Sequence, residues 1–172
     1  MKKIVIVTHP NLKTSNINKT WINELKKHPN DFEIHSLYDK YPNLNFDIAQ
    51  EQALLESYDE IIFQFPLHWF STPYALKKYI DDVFTYGWAF GPEGDKLKGK
   101  KIGLAVSTGG IKDSYTPPQG ITLKDLLNDV TLSFVYCGCE LGYIHIFHGA
   151  MYEPQEADVI ANSKEYVSAF ID

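Results

Sequence analysis

Stretches rich in β-branched and aromatic residues alternate strictly along this chain with stretches of helical period. Lys3–Val7, Phe32–Leu37, Glu60–Phe65, Lys101–Ser107 and Tyr143–His148 read as strands. Ser15–Lys27, Ile48–Ser57, Thr72–Phe84, Thr122–Tyr136 and Pro154–Phe170 read as helices, several opened by the Ser, Thr or Pro expected of caps and first turns. A helix between two strands brings the second strand in parallel to the first, by a right-handed crossover that covers one face of the sheet. The order βαβαβαβαβα therefore predicts an α/β fold, a doubly wound five-stranded parallel sheet with helices on both faces. The 172 residues suit one hydrophobic core and are few for two, so residues 1–172 are expected to be a single domain.

Charge and composition remove several classes of function. With 16 Lys and Arg against 22 Asp and Glu, the formal charge of -6 lacks the basic excess that phosphate neutralisation requires, and no nucleic-acid partner is expected. The apolar run Ile4–Val7 is too short for a signal peptide and no later run approaches the roughly 20 residues of a membrane span, so a cytoplasmic protein is expected. Cys137 and Cys139 lack the spacing of a metal site and read as buried thiols. His145 and His148 have no recognisable third ligand, so they read as structural and no metal site is expected. The acidic run around Glu51 and Glu56 reads as a solvated helix face.

In a doubly wound sheet the ligand lies beyond the carboxyl ends of the strands, near the point where strand order reverses. Three loops at such ends are informative. After the first strand, Thr14, Ser15, Asn16 and Asn18 crowd the start of a helix. Hydroxyls, amides and open helix N–H groups make a cradle for one phosphate, with His9 as a further donor; an ordinary N-cap by Thr14 or Ser15 is the alternative. Neither a glycine-rich dinucleotide fingerprint nor a P-loop is present. After the third strand, Pro66 stops the strand and Leu67, His68, Trp69 and Phe70 fall where solvent is expected; a flat heterocycle would bury them, or a subunit interface would. After the fourth strand, Ser107 and Thr108 precede Gly109 and Gly110, which allow close backbone approach to something flat. One phosphate loop and two ring loops describe a mononucleotide site, with FMN favoured over FAD or NAD as the tightly held group.

Taken together, THP followed by TSNINK, YPNLNFDIAQEQALL (Tyr41 to Leu55), FQFPLHWFSTP, YGWAFG (Tyr86 to Gly91) and STGG (Ser107 to Gly110) resemble the flavodoxin-like NAD(P)H:quinone oxidoreductases, nearly end to end. The likeness is to the short bacterial branch, which includes general-stress quinone reductases and ancillary flavoproteins of glutathione-gated potassium efflux. It implies that His9, Ser15, Asn16, Ile17 and Asn18 hold the phosphate and ribityl chain of non-covalent FMN. Pro66, Leu67, His68, Trp69 and Phe70 would line the isoalloxazine, and Ser107, Thr108, Gly109 and Gly110 would complete the pocket. It also implies a homodimer with active sites at the subunit interface, near the YGWAFG loop.

The resemblance further implies ping-pong transfer of two electrons from NAD(P)H as co-substrate to a quinone or similar small molecule. Many members carry a histidine shortly after the glycine loop, on the substrate side of the flavin. The stretch Tyr115–Thr122 has none, which leaves Tyr115 as the expected catalytic proton donor. A regulatory flavoprotein docked on a membrane potassium-efflux transporter is the alternative function.

Overall fold

Lys3–Val7 spells Lys-Ile-Val-Ile-Val, and a strand sends successive side chains to opposite faces of its sheet. With no polar residue among the last four, both faces must be covered. Ile4 and Ile6 enter one apolar cluster and Val5 and Val7 enter another, and all four are essentially inaccessible to solvent.

The computed structural model describes residues 3–118 and 120–171. Its strands are β1 (Lys3–Val7), β2 (Phe32–Ser36), β3 (Glu60–Pro66), β4 (Lys101–Ser107) and β5 (Glu140–Phe147). They form one sheet in the order β2-β1-β3-β4-β5, and every neighbouring pair is parallel. The chain steps from β1 outward to β2, then crosses back to β3, so strand order reverses between β1 and β3. The helices are α1 (Asn16–Leu25), α2 (Leu37–Lys40), α3 (Ile48–Glu56), α4 (Tyr74–Val83), α5 (Leu123–Leu126), α6 (Asn128–Tyr136) and α7 (Glu156–Phe170). Trp21, Ile22 and Leu25 of α1 and Tyr166, Val167 and Phe170 of α7 cover the Val5 face. Leu55 of α3, Leu76, Tyr79 and Val83 of α4, and Phe134 of α6 cover the Ile4 face.

Element boundaries differ from the sequence pattern for local reasons. The helix expected over Thr122–Tyr136 is two helices, because Leu127 leaves helical geometry at φ -97 and ψ 1. Pro73 caps α4 in an extended conformation, so the helix starts at Tyr74 rather than Thr72. β5 starts at Glu140, before the expected Tyr143; Leu141 and Tyr143 are exposed on this edge strand, and its first half lacks an apolar signature. Leu37, expected at the end of a strand, instead opens α2.

The acidic run is the largest departure. Glu51 is fully buried, because it lies four residues before the buried Leu55 and shares its inward helix face. One carboxylate oxygen accepts from His35 Nε2 at 2.8 Å and from the Tyr79 hydroxyl at 3.0 Å, and the other from the Tyr41 hydroxyl at 2.8 Å and Lys40 Nζ at 3.1 Å. Burial alone would raise this carboxyl, but the hydrogen bonds from His35, Tyr41 and Lys40 outweigh it and hold it at about 2. Phe46 packs edge-on against both Tyr41 and Tyr79, so the segment from Tyr41 to Asp47 is anchored on this carboxylate. Glu56 is exposed, yet it accepts the Trp88 indole N–H at 2.7 Å. That bond and the fully buried Ala89 and Leu97 fasten the long loop after α4 to the core.

The Glu51 cluster gives a pH prediction. The folded value of about 2 lies below the unfolded value, so the stabilisation is complete above roughly pH 4.3 and is lost as pH falls toward 2. Its full size is about 3 kcal/mol. Urea titrations of the wild type and of Glu51→Gln between pH 2 and 7 should show the variant less stable at neutral pH, with the two curves converging on acidification.

Candidate active site

Four loops meet at the carboxyl edge of the sheet, the first after β1, the third after β3, the fourth after β4 and the fifth after β5. The first begins at Thr8, whose N–H bonds the carbonyl of Gln64 at 2.9 Å. His9 follows, and its Nδ1 accepts from the Asn11 N–H at 3.1 Å. Burial, then the neighbouring His68, pushes the His9 pKa below its ordinary value. In the neutral ring an accepting Nδ1 leaves the proton on Nε2, so His9 can donate one hydrogen bond away from its own loop. The influence of His68 on His9 also shows that the first and third loops converge.

Ser15 caps α1, accepting from the Asn18 N–H at 3.1 Å. The N–H groups of Asn16 and Ile17 have no acceptor among the described residues, and they open at the positive end of the helix. The Ile17 side chain is in the core, so only its backbone is on offer.

Asn18 departs from the expectation that its side chain faces a phosphate. It is 1% exposed; its Nδ2 donates to Ser107 Oγ at 2.9 Å, and Gln64 Nε2 donates to its backbone and side-chain oxygens at 3.2 and 3.3 Å. It therefore ties the start of α1 to the ends of β3 and β4. Beside this knot, Thr8 Oγ1 and Gln64 Oε1 are buried without a hydrogen-bond partner among the described residues. Unmet buried polar atoms are uncommon, and these two lie just inside the sheet edge that carries the loops.

The third loop is a tight turn. Pro66 closes β3, Leu67 donates its N–H to the Ser107 carbonyl at 2.8 Å, and His68 and Ser71 exchange backbone hydrogen bonds at 2.9 and 3.0 Å. Between them Trp69 and Phe70 both take positive φ, 46° and 62°, as a type I′ turn requires. Two bulky residues in this region are strained by roughly 1–3 kcal/mol each. The turn nevertheless presents Trp69 and Phe70 to solvent, 93% and 63% exposed.

The fourth loop is fixed by a relay of side chains. Buried Thr108 lies 3.0 Å from both the Gly110 carbonyl and His148 Nδ1. Its hydroxyl proton goes to the carbonyl, so it must accept from His148, which places the His148 proton on Nδ1 and leaves Nε2 as an acceptor. His148 also stacks on Tyr115, with centroids 5.5 Å apart. Burial, then Lys112, lowers its pKa. A Cβ at Gly110 would come within 3.1 Å of the Tyr115 hydroxyl, a tight approach. Met151 bonds the Gly109 carbonyl through its N–H, while the N–H groups of Gly109 and Gly110 donate to nothing among the described residues.

The loops after β3 and β4, with Met151 from the loop after β5, form a cleft of about 440 Å³ lined by Leu67, His68, Trp69, Phe70, Gly109, Gly110, Tyr115 and Met151. Its walls are the rings of His68, Trp69, Phe70 and Tyr115, the side chains of Leu67 and Met151, and the Gly109–Gly110 backbone with its open donors. That is the donor set for a planar ring with a polar edge, and the N-terminus of α1 is suited to one phosphate; both fit FMN. His148 and Met151 were missed in the sequence. Their signal was positional, since they follow the fifth strand as the other loops follow theirs.

The knot and the cap should separate on mutation. Asn18→Ala strands a buried hydroxyl and amide and should cost about 2–3 kcal/mol, whereas Ser15→Ala removes an N-cap and should cost about 1 kcal/mol. Urea unfolding checks both; equal costs would show that the knot does not hold the site.

Residues 1–171 match the family described by its flavodoxin-like fold. The chain is 45% identical over 140 residues, 80% of each chain, to an uncharacterized NAD(P)H oxidoreductase, YrkL, of Bacillus subtilis. It is 38% identical over 137 residues, 80% of this chain and 77% of the other, to the glutathione-regulated potassium-efflux system ancillary protein KefF of an Enterobacter species. Among solved structures, general stress protein 14 of Treponema denticola in complex with FMN superposes with a TM-score of 0.93 at 35% identity, covering 98% of this chain and 97% of that one. An NADPH-quinone reductase of P. pentosaceus gives a TM-score of 0.83 at 28% identity, covering 96% and 97%.

Proposed function

From the premise that the chain belongs to the flavodoxin-like family, we propose that it is an FMN-dependent NAD(P)H:quinone oxidoreductase. The reaction is NAD(P)H + H⁺ + quinone → NAD(P)⁺ + quinol. The observation that carries this reading is an aromatic-walled cleft lined by Gly109 and Gly110 with open N–H groups, at the same sheet edge where Asn18 ties down the start of α1 with its open Asn16 and Ile17 N–H groups. The FMN-bound relative and the NAD(P)H- and quinone-named relatives support it.

Bound non-covalently, FMN would supply two-electron chemistry, accepting hydride from the nicotinamide and passing it on. The chain's own residues hold and orient. Ser15 shapes the helix start whose Asn16 and Ile17 N–H groups face the phosphate, and His9 adds its Nε2–H. Leu67, Trp69 and Phe70 wall the ring. The Gly109 and Gly110 N–H groups stabilise negative charge at the ring edge. Tyr115, which lines the cleft, would offer its hydroxyl to an incoming acceptor. Leu132 and Tyr136 are exposed at a second hollow between α4 and α6, and exposed Tyr86 packs on Phe90 of its lining, which supports a homodimer through that face.

A second reading is favoured by the likeness to the potassium-efflux ancillary protein: a regulatory flavoprotein on a membrane transporter. Among the described residues no helix is long and apolar enough to cross a membrane, so such a role would be carried by docking.

Purified protein should release FMN on denaturation and chromatography; FAD in the supernatant, or no flavin retained after reconstitution with excess FMN, would overturn the cofactor assignment. Stopped-flow analysis of the loaded protein should show rapid flavin reduction by NAD(P)H and rapid reoxidation by quinone. Tyr115→Phe should slow reoxidation by no more than roughly tenfold, below the usual 10²- to 10⁴-fold of a general acid, because water reaches an open cleft. Flavin reduction should be nearly unchanged. Equal slowing of both halves would make Tyr115 a residue that positions the ring.

A further inference from the structure

Next to the ring cleft lies a larger hollow of about 680 Å³, and the two share Phe70 and Tyr115. Ile111, Ile121 and Leu126 complete its apolar wall, and its polar side chains are Asp113 and Ser114, both exposed. Ile111 and Ile121 are 45% and 62% exposed, so the wall is unfinished without something to cover it. The volume falls in the range of about 300–1,000 Å³ usual for small-ligand sites.

Chemistry narrows the occupant. Among the described residues no cationic side chain lines the hollow and Asp113 stands at it, which disfavours the phosphates of a nucleotide. A flat polar-edged ring is already matched by the adjoining cleft, where the Gly109 and Gly110 N–H groups are open. An uncharged, flexible, apolar chain gains most, and one attached to a ring in the adjoining cleft would reach the hollow past Phe70 and Tyr115.

We propose that this hollow receives the apolar tail of the electron acceptor, so that prenylated quinones are the substrate class. The inference rests on the quinone reductase reading above and extends it from the ring to its substituent. Phe70 and Tyr115 line both spaces, so a tail leaving the ring cleft passes between them.

The test uses FMN-loaded protein and one benzoquinone ring bearing no tail, one isoprene unit or two. The wild-type kcat/KM should rise by about tenfold or more with the first unit, since several buried carbons are gained. Ile121→Asp, and independently Ile111→Asp, should flatten that rise while leaving reduction of the tail-less quinone unchanged. Sedimentation of each variant should match the wild type. A flat wild-type series with good reduction of the tail-less ring would overturn the tail site and leave the quinone reading intact. No reduction of any quinone would overturn the quinone reading itself. A rise that survives in both variants, or a change of oligomeric state in them, would place the tail elsewhere or assign the hollow to a second copy of the chain.

Discussion

The buried amide of Asn18 is the contact on which the site depends. Helix α1, β3 and β4 arrive at the carboxyl edge of the sheet from distant parts of the sequence. Their common point is one side chain that donates to Ser107 and accepts from Gln64. A buried amide satisfied from two strands fixes the helix start in direction as well as distance, because hydrogen bonds lose strength steeply off axis. The N–H groups of Asn16 and Ile17 therefore point where they do because of a residue that is itself out of reach of solvent. Ser107 carries the constraint onward: its carbonyl accepts the Leu67 N–H and so sets the root of the aromatic turn.

That turn shows the opposite economy. Trp69 and Phe70 sit in left-handed backbone conformations and offer their rings to water, which is unfavourable on both counts. Nothing in the fold itself gains from it. The reciprocal bonds between His68 and Ser71 hold the geometry, and a ligand against the rings would return the lost burial. Local strain of this kind, rooted in a rigid sheet, is the arrangement of a site preorganised for a flat partner rather than one that collapses around it.

The architecture and the three principal loops were legible in the sequence because both depend on short-range pattern. Alternating periodicity gives parallel strands, and parallel strands put all their exits on one edge. What was hidden depends on partners far along the chain. Glu51 looked solvated because the residues that neutralise it, His35, Lys40, Tyr41 and Tyr79, come from β2, the segment after it and α4. Asn18 looked like a phosphate ligand because its neighbours in sequence are polar, while its neighbours in space are Gln64 and Ser107. Helix α6 separated from α5 for a backbone reason at Leu127 that no periodicity encodes. The resemblance to a family supplied a histidine position that this chain leaves empty, and only the fold brings His148 to stand beside Tyr115.

His148 does not, however, simply replace an acid. Thr108 spends its single proton on the Gly110 carbonyl, so His148 is pinned with its proton on Nδ1, facing inward. Burial and Lys112 both oppose a second proton, so at neutral pH the ring is uncharged and its Nε2 accepts rather than donates. A ring in that state steadies its neighbours: it braces Tyr115 by stacking and ties the end of β5 to the glycine loop through Thr108. In the proposed reaction the proton for the reduced acceptor then has two sources, the Tyr115 hydroxyl and water. A donor replenished by solvent suits an open cleft better than a buried relay, and it leaves the rate controlled by how well the two rings are held face to face.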